Sequence, residues 1–156
     1  MQDRPNHTFR RIALNAGALV ALTGFHHAYG AWLYATPWRL HVVYIAVPVL
    51  ASQLALLRVG QRSERREVRT RVTRWVVASV LLLLAAPLGL FEGAYNHAIK
   101  NLVFFAYGAQ VAAQWFPPPT YELPNDLLFE LTGIAQFPLA LFGAWRLMRV
   151  QRGGNE

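Results

Sequence analysis

The sequence predicts an all-α integral membrane protein, built as a four-helix bundle with an additional outer-surface or re-entrant helix. Of its 156 residues, 54% are hydrophobic and only 15% are charged. A soluble domain of this size cannot bury so much apolar surface. Four stretches also meet the requirement of roughly 20 mainly apolar residues for one bilayer crossing. Residues 1–156 are therefore interpreted as a single transmembrane domain.

The four predicted spans follow one another with short polar connections. They cover residues 12–34, 40–57, 75–97 and 127–147. Ala35-Thr36-Pro37 is a turn signal before the second span, and an arginine-rich loop over 58–74 precedes the third. Before the fourth span, Asn125 is a suitable N-cap, and Asp126 lies in the first turn, where the helix dipole favours an anion.

The segment 98–126 is predicted to form an outer loop that contains the additional helix. Its apolar part, residues 101–115, carries Gln110 and Gln114. If this part crossed the membrane, the arginines at the carboxyl end would lie outside, against the positive-inside rule. A surface or re-entrant helix is therefore favoured over a fifth span.

The basic residues predict the orientation. With both termini on one side, that side holds 13 of the 15 lysines and arginines, and the other side holds only Arg39 and Lys100. The positive-inside rule then places both termini and the loop 58–74 in the cytoplasm of a bacterium, with the spans in its inner membrane. Contact with anionic membrane lipids accounts for the net charge of +7, so no nucleic-acid partner is expected.

Ionisable side chains collect at the outer ends of the predicted spans, where they are functional candidates by default. In the third span, Glu92, Asn96 and Lys100 share a face, and His97 and Asn101 widen that face. So broad a polar surface is expected to point into the bundle. The sequence thus predicts a His/Glu/Asn pocket in the outer leaflet for a small ligand, a metal ion or a lipid-like substrate.

Acid–base chemistry is one interpretation of this pocket. Glu92, Glu130 and His97 are the candidate catalytic residues, as buried carboxylates with an imidazole proton partner. Whether the protein is an enzyme is left open by the sequence. The residues expected to contact a ligand are His27, Asn96, Lys100, Asn101, Arg39 and Tyr34.

Metal binding is a second interpretation. His27, His41 and His97 are the candidate ligands, with His26 as the alternative to His27 and with a carboxylate from Glu92 or Glu130, because imidazole and carboxylate together suit several transition metals. A haem held by His27 and His97 is a special case of this hypothesis. The chain has no cysteine, which excludes thiol–disulfide exchange, Fe–S clusters and cysteine-based zinc sites.

Two other functional classes remain open. The chain could be a non-catalytic accessory subunit of a larger membrane complex or a homo-oligomer, with its polar outer end as the docking surface. It could also be a proton- or cation-coupled transporter that uses the same carboxylates and histidines. For the histidines, a structural role in hydrogen bonds near the membrane interface is favoured over metal binding.

Overall fold

The protein is all-helical in the computed structural model, which describes residues 4–152. The chain termini, which the orientation hypothesis assigns to the cytoplasm, lie outside the described residues. No strand occurs within that range, so the predicted all-α class is confirmed. Residues 4–152 form five helices: α1 (Arg4–Leu33), α2 (His41–Gln61), α3 (Arg66–Tyr107), α4 (Ala109–Trp115) and α5 (Leu127–Arg152). A 3₁₀ turn, Pro37–Leu40, precedes α2.

Three of these helices are long and apolar enough to cross a membrane, which indicates a multi-pass membrane protein. They are Pro37–Gln61, which joins the 3₁₀ turn to α2, then Arg66–Tyr107 and Leu127–Arg149. Helix α1 has 30 residues but is not among them. Asn15, His26 and His27 lower its hydropathy, and the two histidines are turned toward other helices. The first predicted span, 12–34, is therefore not supported by hydropathy.

Helix α3 is longer than the sequence predicts at both ends. It begins at Arg66, inside the predicted loop 58–74, and continues beyond the predicted end of the third span to Tyr107. Gly108 then ends the helix with a φ of 87°, a conformation that glycine adopts without steric cost. The segment 101–115 is therefore divided between the end of α3 and the short helix α4, and it forms no separate span.

The middle of α3 is wider than an α-helix. Residues Leu81–Ile99 form a π-helix, in which main-chain hydrogen bonds link residues five apart instead of four. Each turn therefore contains more residues than a turn of an α-helix. As a result, Asn96 and His97 both lie next to Glu92 on the helix surface. This geometry brings together side chains that the α-helical period would separate by a wider angle.

Glycines allow α3 and α5 to approach each other closely. A Cβ atom at Gly93 would overlap the main-chain nitrogen of Phe137, and one at Gly89 would overlap the Ala140 side chain. On α5, a Cβ atom at Gly133 would overlap the imidazole of His97. The two helices therefore meet through backbone and small side chains, as membrane helices commonly do.

The apolar core fills the half of the bundle nearer the described ends of the chain. Buried side chains from α1, α2, α3 and α5 form it, including Ile12, Leu57, Val77, Leu84 and Leu147. The polar residues lie at the other end, which carries the connections 34–40 and 116–126, and which we call the loop end. A second, smaller cluster there packs α4 against α3 through Val103, Ala112 and Phe116.

We expect Gly93→Ala to lower the free energy of unfolding by about 1–3 kcal/mol, the usual cost of an overpacked contact. The added methyl group would meet the backbone of α5, which cannot rotate away as a side chain can. Thermal unfolding in detergent measures the change. Gly24→Ala is the matched control, because nothing lies within 4 Å of its Cβ position. Equal effects of the two substitutions would contradict the close α3–α5 contact.

Candidate metal centre

Three histidines surround one carboxylate oxygen at the loop end. The Nε2 atoms of His26 and His97 each lie 3.5 Å from Oε1 of Glu92, and Nε2 of His27 lies 3.6 Å from it. All three histidines are buried, with 1–5% of their surface exposed. Glu92 is the most accessible member, with 14% of its side chain exposed.

Helix α1 supplies two neighbouring histidines to this cluster. Consecutive residues of an α-helix point about 100° apart, so His26 and His27 do not share a direction. Both reach Glu92 because its carboxylate lies between them. Phe129 of α5 stacks on the His26 ring at a centroid distance of 4.3 Å, which holds that ring in place.

A second carboxylate, Glu130 of α5, lies behind His97. Its Oε2 accepts a hydrogen bond from His97 Nδ1 at 2.8 Å, and its Oε1 lies 2.8 Å from Nζ of Lys100. Asn101 also donates to Glu130 through its side-chain amide. Glu130 is only 5% exposed, so a lysine, a histidine and an amide compensate for its burial.

The hydrogen bonds around two of the histidines fix their Nε2 lone pairs toward Glu92. Thr132 donates its hydroxyl proton to Leu128 O at 2.7 Å, so it accepts from the His26 Nδ1–H at 3.0 Å. His97 donates its Nδ1–H to Glu130 in the same way. Such oxygen partners on the far nitrogen are usual for histidines that bind metals.

His27 and Asn96 carry polar atoms that have no hydrogen-bond partner. Both ring nitrogens of His27 are buried without a partner, although buried polar groups are normally bonded. Asn96 donates its amide to Glu92 Oε2 at 2.7 Å, but its Oδ1 accepts no bond. The cluster therefore has unused donor and acceptor capacity next to Glu92.

The spacing of the cluster fits a shared cation. His26, His27 and Glu92 each offer one possible metal-ligand atom, and these three atoms lie within 4.8 Å of one another. The Nε2–Oε1 distances of 3.5–3.6 Å are longer than an N–H···O hydrogen bond. They are close to the separation of about 3.4 Å between two ligands that each bind one tetrahedral ion at about 2.1 Å.

The structure brings most of the sequence-predicted residues together. Glu92, Glu130 and His97, the predicted catalytic residues, lie in one contact network with His27, Asn96, Lys100 and Asn101. Arg39 and Tyr34 lie at its edge. Arg39 contacts the Glu122 carboxylate at 3.5 Å, and Tyr34 donates a hydrogen bond to Asn125.

His41 is not part of the cluster, so the predicted metal set of His27, His41 and His97 needs correction. Its ring is exposed and makes a 2.6 Å hydrogen bond with Trp38 O. His41 begins α2, whereas the cluster is built from α1, α3 and α5. His26 and Glu92 occupy the positions beside His27 instead.

Three contributing residues were not singled out by the sequence analysis. Thr132 orients His26, and Glu122 offers its main-chain oxygen to Lys100 at 2.6 Å. Gln136, fully buried, accepts a 2.6 Å hydrogen bond from Thr23 one helical turn below the histidines. Thr132 and Gln136 are four residues apart and therefore lie along one side of α5, and that spacing is the signal that could have identified them.

Tyr121 lies near Glu92 and Tyr95. Burial raises the pKa of its phenol, and the neighbouring Tyr95 and Glu92 raise this pKa further. Tyr121 is packed on Phe116, which also contacts Tyr95. Phe116 and Tyr121 of the connection 116–126 therefore pack with Tyr95 on the side of α3 near Glu92.

Comparisons of the chain with protein-family models, with curated proteins and with solved structures find no match.

We expect Glu130→Gln to lower the free energy of unfolding by about 3–5 kcal/mol, because it leaves the buried Lys100 ammonium without its anionic partner. Denaturant titration in detergent micelles measures the loss. Glu64→Gln is the matched control. Its side chain is exposed, so the substitution should change the free energy of unfolding by no more than about 0.5 kcal/mol. Similar losses of unfolding free energy in both variants would show that the Glu130–Lys100 ion pair is not desolvated.

Proposed function

We propose that this multi-pass membrane protein binds one transition-metal ion through His26, His27 and Glu92. The observation that carries the proposal is the convergence of imidazole Nε2 atoms on Glu92 Oε1 at 3.5–3.6 Å. His97 lies at the rim of the same site. The unpartnered nitrogens of His27 supply independent support, since a bound ion would satisfy one of them.

The donor set limits the kind of ion. Imidazole with carboxylate suits zinc, iron, manganese or copper, and two histidines with one carboxylate are typical of non-haem iron sites. Three protein ligands leave coordination positions open, as in catalytic sites and unlike closed structural sites. A small ligand bound at an open position would lie near Asn96, whose Oδ1 can accept a hydrogen bond from it.

The arrangement does not favour a haem between His27 and His97. Oε1 of Glu92 is 3.6 Å from Nε2 of His27 and 3.5 Å from Nε2 of His97. The carboxylate thus occupies the space that a macrocycle would need between two axial histidines. We therefore propose a non-haem ion.

Acid–base chemistry on a lipid-like substrate is a second candidate, favoured by the pairing of His97 with Glu130. This dyad orients the free Nε2 of His97 toward Glu92, as carboxylates orient histidines in general acid–base sites. The two candidates are compatible, because the dyad adjoins the proposed ion. The ligand would enter from the loop end, beside Tyr121.

Transport receives less support. Thr23 and Gln136 form the next buried polar pair on the side of the histidines away from the loop end. Beyond this pair, the described residues between α1, α3 and α5 are mainly apolar. A cation pathway would need polar groups to continue there. The role of an accessory subunit, or of a homo-oligomer, remains a hypothesis on which these contacts do not bear.

We further propose the bacterial inner membrane, with both termini cytoplasmic and the loop end outside. The distribution of arginines supports this orientation, because Arg39 and Lys100 are the only basic residues on the side assigned to the exterior. In this arrangement α1 serves as the fourth span, and its polar face is covered by α3 and α5.

The first test is the metal content of the protein purified in mild detergent. We expect about one ion of zinc, iron, manganese or copper per chain by elemental analysis, since one set of ligands is present. Glu92→Gln and His26→Ala should each reduce the occupancy at least about tenfold, the effect expected from losing a ligand. His41→Ala is the control and should retain the ion. Wild-type protein that stays metal-free after incubation with each metal would refute the proposal.

The second test concerns orientation and uses the absence of cysteine from the chain. A cysteine introduced at Thr120 should react with an impermeant thiol reagent in intact cells, because the loop 116–126 is proposed to lie outside. A cysteine at Ser63 should react only after lysis. The opposite pattern of labelling would reverse the proposed orientation.

A further inference from the structure

Lys100 is a buried cation in a cluster that is otherwise made of metal-ligand types. The residue is 2% exposed, and its Nζ lies 2.8 Å from Glu130 Oε1 and 2.6 Å from the main-chain oxygen of Glu122. Burying an ammonium group is costly unless it is paired and hydrogen-bonded. Here the ammonium has two oxygen partners from two different segments of the chain.

The cluster contains two anionic centres that one histidine connects. Nε2 of His97 faces Glu92 at 3.5 Å, and Nδ1 of the same ring faces Glu130 at 2.8 Å. The first centre includes His26 and His27, and the second includes Lys100 and Asn101. Each carboxylate is thus matched by its own set of partners.

Helical bundles that hold two metal ions draw carboxylates and histidines from facing helices. The present cluster offers two carboxylates and three histidines on three helices, which resembles such a donor set in composition. It differs in that an ammonium nitrogen lies against the second carboxylate. An ammonium supplies positive charge, but it has no lone pair and no coordination positions.

We propose that Lys100 Nζ occupies the position of a second cation and thereby restricts the site to one metal ion. This inference rests on the proposed metal site at His26, His27 and Glu92. Lys100 accordingly determines how many metal ions the site binds. When it is removed, Glu130 and the Glu122 main-chain oxygen become available as oxygen ligands.

Charge also explains why the second position suits a lysine. A divalent ion there would place another double positive charge close to the first ion, with only two carboxylates to balance both. A single ammonium lowers that repulsion and still neutralises Glu130. Its two short contacts also tie the connection 116–126 to α5 through α3.

The test measures metal stoichiometry in wild-type protein, Lys100→Ala and Lys100→Arg after equilibrium dialysis in detergent against zinc or manganese. Lys100→Ala removes the cation and leaves room for an ion, whereas Lys100→Arg keeps a cation and is the matched control. We expect about one ion per chain for wild type and Lys100→Arg, and about two for Lys100→Ala, following the ligand sets of the two centres. Two ions in Lys100→Arg, or one in Lys100→Ala, would overturn the inference.

The outcomes separate this inference from the proposed function. Wild-type protein without any ion would refute the metal site itself, whereas one ion in both wild type and Lys100→Ala would refute only the role of Lys100. If Lys100→Ala does not fold, Lys100→Glu replaces it in the experiment, because this variant puts a carboxylate ligand in place of the cation. Folding of either variant that depends on added zinc or manganese would support the inference. Failure of both variants to fold with these metals would overturn it.

Discussion

Burial of the Glu92 and Glu130 carboxylates is the constraint on which the loop end of this protein depends. Neither carboxylate can remain in a helical membrane protein without compensation, because the cost of desolvation exceeds that of most single contacts. Glu130 is compensated by Lys100, Asn101 and the Nδ1–H of His97, and Glu92 accepts a hydrogen bond from the Asn96 amide. These partners lie on α3, whereas Glu130 lies on α5, and His26 and His27, which face Glu92, lie on α1. The three helices must therefore meet closely at this end.

The close meeting of the helices has its own requirements. Gly93 of α3 and Gly133 of α5 leave room for the facing backbone and for the His97 ring. The π-helical turn of α3 then places Glu92 and His97 side by side, although His97 is five positions further along the chain. Packing and charge thus reinforce each other, because a shift of α5 along α3 would break the Glu130 contacts and bring the small residues out of register.

Much of the fold could be predicted from composition and periodicity, but the details that complete the site could not. The α5 start at Leu127 and the polar end of α3 follow from the polar residues before the fourth span and from the string FEGAYNH. The predicted N-cap, Asn125, is wrong by one residue, because Asp126 Oδ1 accepts the Phe129 N–H. The end of α3 at Gly108 depends on one positive φ that hydropathy does not reveal. His26 was weighed only as an alternative to His27, because two neighbours on a helix point in different directions. The position of Glu92 between them is what brings both into the cluster. His41 was included because it lies at the correct depth, but depth alone does not tell which helices are in contact.

Helix α1 carries two of the three histidines of the cluster, yet it falls short of the hydropathy that the other three long helices reach. It is also the first of the four to emerge during synthesis. A segment with buried polar groups partitions poorly into lipid on its own, because each such group costs free energy in the insertion step. Stable entry of α1 into the bilayer is therefore expected to wait until α3 and α5 offer partners for His26 and His27. Biogenesis and assembly of the site would then be one event, and a chain truncated before α5 would leave its first helix at the membrane surface.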